Sequence, residues 1–391
     1  MSAGWELMGR ADLFAGQYFF EKSAGSVNGY GDLDLQLARS FSSSSGLFIS
    51  ERSIYTGFKQ VNELAGGGTL FQQSLDNSLG GKWIRRYEGG YSLKPRAGVK
   101  SQLFRETSDE KWGKRLYDFW RYEAGVALER KTRWGLSIPW TWQISWDAYY
   151  TRYVRFKSLS SQFGAEMSAP DPGSRVLDSL TNQFSYTGEL DLPGFNSLFF
   201  MYSLSMISFP DQKMIGSQGQ YLDSSRSDSF HTLALGYSKR FSDLEALSRI
   251  RPLAGLNLTF SSLNSNQNHF DTDPKRLKFV DSYYDYSEIK VSPVVRAVFL
   301  ESRLSVKAGY DFAFRYYTGR LSQTGAGDYT TGRLRQFLHG VSLDIAYPLW
   351  SSLDLKLRGF WMSSGSNNKY EQVYRYNYES SNYFAGVQWR I

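Results

Sequence analysis

The 391-residue sequence contains no cysteine. That excludes disulfides, thiolate catalysis and zinc–thiolate sites, and it suits an exported bacterial protein. No apolar run reaches the roughly eighteen residues that a transmembrane helix needs. If the chain enters a bilayer it must therefore cross as a closed barrel, the other form in which every backbone group finds a partner inside hydrocarbon. The start, Met1-Ser2-Ala3-Gly4-Trp5, lacks the charged and apolar regions of a signal peptide. A mature chain, or a barrel cut from a longer protein with an upstream periplasmic domain, is the expectation. Histidine is scarce as well, with three residues in all.

What the sequence has in quantity is aromatic side chains: 27 Tyr, 27 Phe and 11 Trp, or 17% of residues. Mean hydropathy is nevertheless −0.43. A wall with lipid on one side and water on the other needs half of each strand apolar and half polar, which gives this mixture. The net charge of +7 comes from basic residues scattered among acids. It reads as a mixed surface, without clusters or motifs for nucleic acid, so no nucleic-acid partner is expected.

Period-two alternation runs from end to end. Leu136, Ile138, Trp140, Trp142, Ile144, Trp146, Ala148 and Tyr150 share one face, while Ser137, Thr141, Gln143, Ser145, Asp147 and Tyr149 share the other. The pattern repeats with Trp120 to Leu128 against Arg121 to Glu129, and with Leu304 to Tyr316 against Ser305 to Tyr317. It recurs over His339–Tyr347, Leu353–Met362 and Tyr383–Ile391. Leu47 to Phe58 admits either register. Trp120, Trp140, Trp142, Trp146, Tyr150, Trp361 and Trp389 are the expected membrane girdle.

Connections alternate in length. Short links are expected near Ser42–Ser45, Gly80–Lys82, Thr132–Gly135, Pro193–Asn196, Ser242–Ser248, Leu300–Ser302 and Leu349–Ser352. Long polar links are expected near 21–29, 59–68, 106–116, 157–179, 210–228, 262–282, 319–333 and 363–377. The count predicts an all-β fold: one transmembrane antiparallel up-and-down β-barrel over residues 1–391, with about sixteen strands (14–18), short periplasmic turns and long extracellular loops. The loop at 157–179, with Pro170, Asp171, Pro172 and Gly173, is expected to fold inward and narrow the bore.

With its ending Tyr383-Phe384-Ala385-Gly386-Val387-Gln388-Trp389-Arg390-Ile391, the chain resembles the Gram-negative outer-membrane β-barrels, porins among them. Their C-terminal strand is presented to the barrel-assembly machinery. A weaker likeness is to the barrel domain of exopolysaccharide exporters. The resemblance implies residence in the cell outer membrane, with outer-membrane lipid and lipopolysaccharide and the assembly machinery as partners. Arg358-Gly359-Phe360 matches a short motif of two-partner-secretion transporters, but here it falls inside a strand with Gly359 outward, and chance accounts for it.

Catalytic chemistry finds little support. His231 and His339 alternate with outward apolar residues, and His269 stands in a loop with no paired nucleophile. Asp271-Thr272-Asp273 lacks the glycine and late glutamate of a calcium loop. Neither enzyme activity nor a metal or other cofactor is expected. The bore is where function should sit. Lys94, Arg96, Lys100, Arg121, Arg155, Arg240, Lys290, Arg296, Lys307, Arg315, Lys356, Arg358 and Arg390 are expected to point inward. So are Glu123, Glu129, Asp147, Glu189, Glu288, Asp311, Asp344 and Asp354. Such charges either pair across strands or form a basic ladder for anionic solutes. Inward Tyr149, Tyr153, Tyr286 and Tyr317 could stack against sugars. The leading expectation is a channel for passive transport of small polar or anionic solutes. The alternatives are the exit barrel of an export system, for polysaccharide or a surface protein, and a plugged structural or adhesive barrel.

Overall fold

A computed structural model describes residues 4–20, 23–57, 60–64, 67–71, 73–105, 110–135, 137–156, 175–241, 249–371 and 375–390. The wall is a closed antiparallel barrel of sixteen strands. In chain order these are β1 (Trp5–Phe20), β2 (Ser23–Ser42), β3 (Ser45–Thr56), β6 (Gln73–Arg86), β7 (Tyr91–Arg105), β8 (Phe119–Trp134), β9 (Ile138–Tyr153), β10 (Ser179–Leu192), β11 (Asn196–Ile215), β12 (Tyr221–Arg240), β13 (Ile250–Ser265), β16 (Tyr286–Phe299), β17 (Ser305–Gln323), β18 (Tyr329–Pro348), β19 (Leu353–Ser366) and β20 (Tyr378–Arg390). Between β3 and β6 lies the hairpin β4 (Gln60–Leu64) and β5 (Gly67–Phe71). Between β13 and β16 lies β14 (His269–Asp271) and β15 (Lys278–Val280). Each wall strand pairs with its neighbour in sequence, and β1 closes on β20, with Arg10 opposite Arg390 and Phe20 opposite Ser380.

The alternation places side chains as expected. In-register partners share a face, so Lys94–Ala127–Ser145 and Val99–Tyr122–Tyr150 are rows on opposite sides of one wall. The outward rows stay exposed although apolar: Trp146 is 41% accessible, Leu258 42% and Val295 57%. In water such a surface would be a liability. In a bilayer it is the wall's solvent-facing side. Leu136 and Ile391 lie outside the described residues.

One expected turn is misplaced. Gly80 and Gly81 lie inside β6, and the chain reverses instead at Glu88–Gly90. Gly89 and Gly90 hold φ of 75° and 79°, which side chains rarely adopt, and a Cβ on Gly90 would strike the Lys131 carbonyl. Several expected long links are shorter than their polarity suggested. β11 continues to Ile215 and β12 resumes at Tyr221, while β17 runs to Gln323 and β18 starts at Tyr329. The strands keep pairing beyond the lipid, through register shifts, where no bilayer imposes apolar alternation. The inward-folding loop expected at 157–179 falls mostly outside the described residues.

A repeated clasp fastens the loop-side ends. Asp118, Asp178, Asp285 and Asn377 each immediately precede a strand. Each accepts a backbone N–H from the partner strand's end: Phe104 at 2.8 Å, Tyr153 at 2.7 Å, Ser265 at 2.7 Å and Ser366 at 2.7 Å. A short polar side chain at that point satisfies a donor that the ladder leaves over.

Candidate functional site: the inner wall

The inner face carries most of the ion pairs among the described residues. Arg96 on β7 reaches over Gly125 of β8 to Asp147 of β9, which is in the same register row. Its Nε donates at 2.6 Å, and a second guanidinium bond completes the fork. A Cβ on Gly125 would strike the Asp147 carboxylate, so the bridge needs glycine there. Beside it, Lys94 pairs with Glu129, and Lys100 with Asp76 at 3.2 Å. Further round, Arg315 pairs with Glu288 at 2.8 Å and Lys290 with Asp311 at 3.2 Å. Arg390 pairs with Asp354 at 2.8 Å.

At the β20–β1 seam, Asp12 is 1% accessible and lies 3.6 Å from Arg358, which donates to Asp344 at 2.9 Å. Asp32 takes Arg52 at 2.9 Å and Arg10 at 3.4 Å. The Arg358 guanidinium stacks 4.4 Å from the Phe14 ring. Phe14 and Phe384 in turn cover the inward faces of Gly386 and Gly16.

Near the turn side, inward bases in no ion pair among the described residues include Lys82, Arg240, Arg296, Lys307 and Lys356. All stand within four residues of the turn end of their strands. Arg296 and Lys307 are directly opposite in register. Like charges facing each other destabilise a sheet pair. Asp344, the acid opposite Lys307 on its other side, is held by Arg358. Among the described residues Arg296 has the Ser305 hydroxyl, at 3.3 Å. The turn-side mouth therefore carries inward bases outside any ion pair on β6, β12, β16, β17 and β19, with the acid Glu189 of β10 also outside one among the described residues.

At the loop-side mouth, arginines stack on aromatic rings. Arg226 lies 4.3 Å from the Tyr284 ring and 4.6 Å from Phe209, with Asp228 as its ion-pair partner at 2.6 Å. Arg276 lies 4.6 Å from Tyr370 and binds Asp271 at 2.8 Å. Arg320 is the exception. It sits 4.3 Å from Tyr283 and 5.4–5.6 Å from Tyr376 and Tyr317, with no acid beside it among the described residues. His269 also stacks against Tyr283, 4.4 Å between ring centres. Burial holds its pKa below the usual histidine value, with the Arg320 charge adding to the effect.

Most residues expected on the inner face are there by register, including Arg121, which bonds the Thr151 hydroxyl at 3.1 Å, and Glu123. Arg240 and Glu189 are near the turn ends of β12 and β10. Arg155 is not on the wall. It lies beyond β9, donating to the Gly113 carbonyl at 2.6 Å, because the strand ends at Tyr153 and alternation cannot be carried past it. Of the expected girdle residues, Trp140 and Trp389 face outward near the turn side and Trp120 and Tyr150 near the loop side. Trp146 stands mid-strand, within the band itself. The inward tyrosines are largely engaged: Tyr286 with Tyr317 at 5.6 Å and with Arg315 at 4.3 Å, and Tyr153 with Phe119 at 5.5 Å. Asp271, read in sequence as a loop acid, is committed to Arg276 and to the Tyr329 hydroxyl at 2.9 Å. Alternation located Arg296, Lys307 and Lys356 but not Lys82, which was expected in a turn, and not their lack of acids, since that depends on which strands meet.

No protein-family model matches this sequence, and no curated protein matches it. Among solved structures, the barrel is similar to CdiB from Acinetobacter baumannii, with a TM-score of 0.52 and 10% identity over 98% of this chain and 60% of that one. OmpT, an outer membrane protein of Vibrio cholerae, aligns over 100% of both chains with a TM-score of 0.45 and 10% identity. A bacterial polysaccharide outer membrane secretin aligns over 98% of both, at 0.44 and 8%. At these identities the likeness concerns fold alone. A closed sixteen-strand barrel wearing an exposed apolar belt satisfies the demands of a lipid surroundings. The chain is a multi-pass β-barrel of the Gram-negative outer membrane.

Proposed function

We propose that the barrel is a channel for the passive passage of small polar solutes, with a preference for anions. The observation that carries this reading is the set of inward bases at the turn-side mouth in no ion pair among the described residues, Lys82, Arg240, Arg296, Lys307 and Lys356, with Arg296 set directly against Lys307. A folded wall tolerates facing cations when water and mobile anions screen them, and rings of Arg or Lys favour anion entry. Solvent access on the inner side supports a bore that is not packed shut. Arg52, Arg10, Lys290 and Asp311 keep 48, 41, 39 and 40% of their side-chain surface accessible. Sixteen strands give a bore wider than side chains alone fill in an eight-stranded barrel. Arg320, without an acid at the opposite mouth, extends the same preference to the loop side.

This reading assigns the chain no catalysis. His231 and His339 bond outward tyrosine hydroxyls, Tyr202 at 3.0 Å and Tyr310 at 2.7 Å. His269 packs on Tyr283, and none of the three is hydrogen-bonded to a serine or carboxylate among the described residues. The test is single-channel recording of the refolded protein in a planar bilayer, with reversal potential measured across a salt gradient. Steady openings with a reversal potential on the anion-selective side are the expected result. A folded barrel that stays electrically silent, or that selects cations, would reject the proposal.

A further inference from the structure

The outer wall is apolar along most of its circumference, but one mid-wall patch carries an acid. On β3 the outward row runs Leu47, Ile49, Glu51, Ser53, Tyr55; on β6 the facing row runs Trp83, Gly81, Leu79, Asn77, Leu75. The parity is fixed by the inner side, where Arg52 meets Asp32 and Lys100 meets Asp76. Glu51, Ser53 and Asn77 therefore face lipid. Glu51 stands midway between Leu47, opposite the turn-side Trp83, and Tyr55, roughly 13 Å along the strand from each. With strands tilted and an apolar band roughly 25 Å tall, that is close to the bilayer centre.

An acid, a hydroxyl and an amide at that depth need partners, because hydrocarbon supplies none. They meet some of the need among themselves. Ser53 Oγ lies 2.7 Å from Glu51 Oε1 and 2.8 Å from Asn77 Oδ1. Ser53 has a single proton to donate, so it satisfies one acceptor at a time. Turning the Asn77 amide round lets its nitrogen donate to Ser53 and Ser53 donate to Glu51. In either orientation, one Glu51 oxygen and at least one Asn77 N–H have no partner among the described residues. The patch thus presents an unused acceptor and an unused donor side by side. Its neighbour Gly81 would admit a Cβ with nothing within 4 Å, so the wall there is shallow and another wall can come close.

We infer that the β3–β6 face is the contact surface for a second copy of this chain, related by a two-fold axis along the membrane normal. The argument for that occupant is complementarity. A patch holding both an amide donor and a carboxyl acceptor can pair with itself, Asn77 of one copy bonding Glu51 of the other and the reverse. Lipid tails offer neither group. Elsewhere the outward histidines His231 and His339 are already bonded, to Tyr202 and Tyr310, and β11, β12 and β13 present Leu198, Leu233, Leu235, Leu256, Leu258 and Phe260 outward.

The absence of native cysteine makes a clean test. Leu79→Cys, beside Glu51 and 51% accessible, is placed in the outer membrane and oxidised with a mild copper catalyst. Leu258→Cys on the far side serves as control. The expected result is a covalent dimer for Leu79→Cys and none for the control. In parallel, the native mass of the protein in nanodiscs is compared with that of Glu51→Leu/Asn77→Leu. The variant is suited to lipid and should keep the heat-modifiable mobility of a folded barrel while losing at least tenfold of its dimer. A wild-type monomer, equal crosslinking at both cysteines, or a dimer that survives the double substitution would each overturn the inference.

Discussion

Two stretches of the wall, β3–β6–β7 and β13–β16–β17, are inverted with respect to each other. The first is polar on its lipid side, through Glu51, Ser53 and Asn77, and largely neutralised on its water side, through Lys94–Glu129, Arg96–Asp147 and Lys100–Asp76. Lys82 is an inward base there that forms no ion pair among the described residues. The second is apolar at mid-wall outside, through Leu256, Leu258, Phe260, Ile289 and Val295, yet leaves Arg296 and Lys307 facing each other inside. Each face answers to its own solvent. Unpaired charge is cheap where water enters, and polar groups are costly where only lipid does. An unmet polar group on the outer face therefore points to protein, and unmet charge on the inner face points to solute.

The largest effect should come from putting a cation into each outer face. Leu258→Arg, mid-wall on β13, should destabilise the barrel by about 2–4 kcal/mol, read as a lowered urea midpoint in lipid vesicles. Leu79→Arg should lose markedly less, because Glu51 is its register partner. Equal losses would mean that the two outer faces do not differ in kind.

Inside the barrel the order reverses. Arg96→Ala leaves Asp147, 9% accessible, without its guanidinium fork, and should cost about 1–3 kcal/mol. Lys307→Ala removes a charge with no partner and should change the same midpoint by less than about 0.5 kcal/mol. Selectivity should respond the other way. Arg296→Gln/Lys307→Gln should move the reversal potential toward zero. Lys94→Gln/Glu129→Gln, which leaves the net charge of the bore unchanged, should leave it in place. A larger shift from the paired couple would place the selective charge elsewhere on the wall.

Much of this was readable in the sequence. Two solvents force alternation, so the faces of β8, β9 and β17 to β20 follow from side-chain parity alone. The turn after β6 does not, because Gly80-Gly81 and Gly89-Gly90 look alike until the backbone shows which pair takes positive φ. The outward Glu51 was hidden for a related reason. Leu47 to Phe58 mixes polar and apolar residues on both parities, and only the pairing of Arg52 with Asp32 across β2 and β3 fixes its faces. Ion-pair partners were equally closed to sequence: Arg96 finds Asp147 two strands away because Gly125 between them has no side chain.

The smallest effect concerns the loop side of the second stretch, where β14–β15 rises between β13 and β16. His269 there has its pKa lowered from 6.5, first by burial and then by Arg320. Acidification therefore works against the folded hairpin. Above pH 6.5 the imidazole is neutral in both states. As pH falls below 6.5 the unfolded segment takes up a proton that the folded one resists, so stability held at neutral pH is lost toward the lowered folded value. Asp271, also held below its ordinary value, stays ionised throughout that range. Limited proteolysis of segment 266–285 should accelerate between pH 7 and pH 5, while the wall, clasped by Asp285 to Ser265, stays intact. His269→Gln should flatten the dependence. If cleavage is as pH-dependent in that variant, the loosening comes from another group, and the hairpin is not where this stretch senses acid.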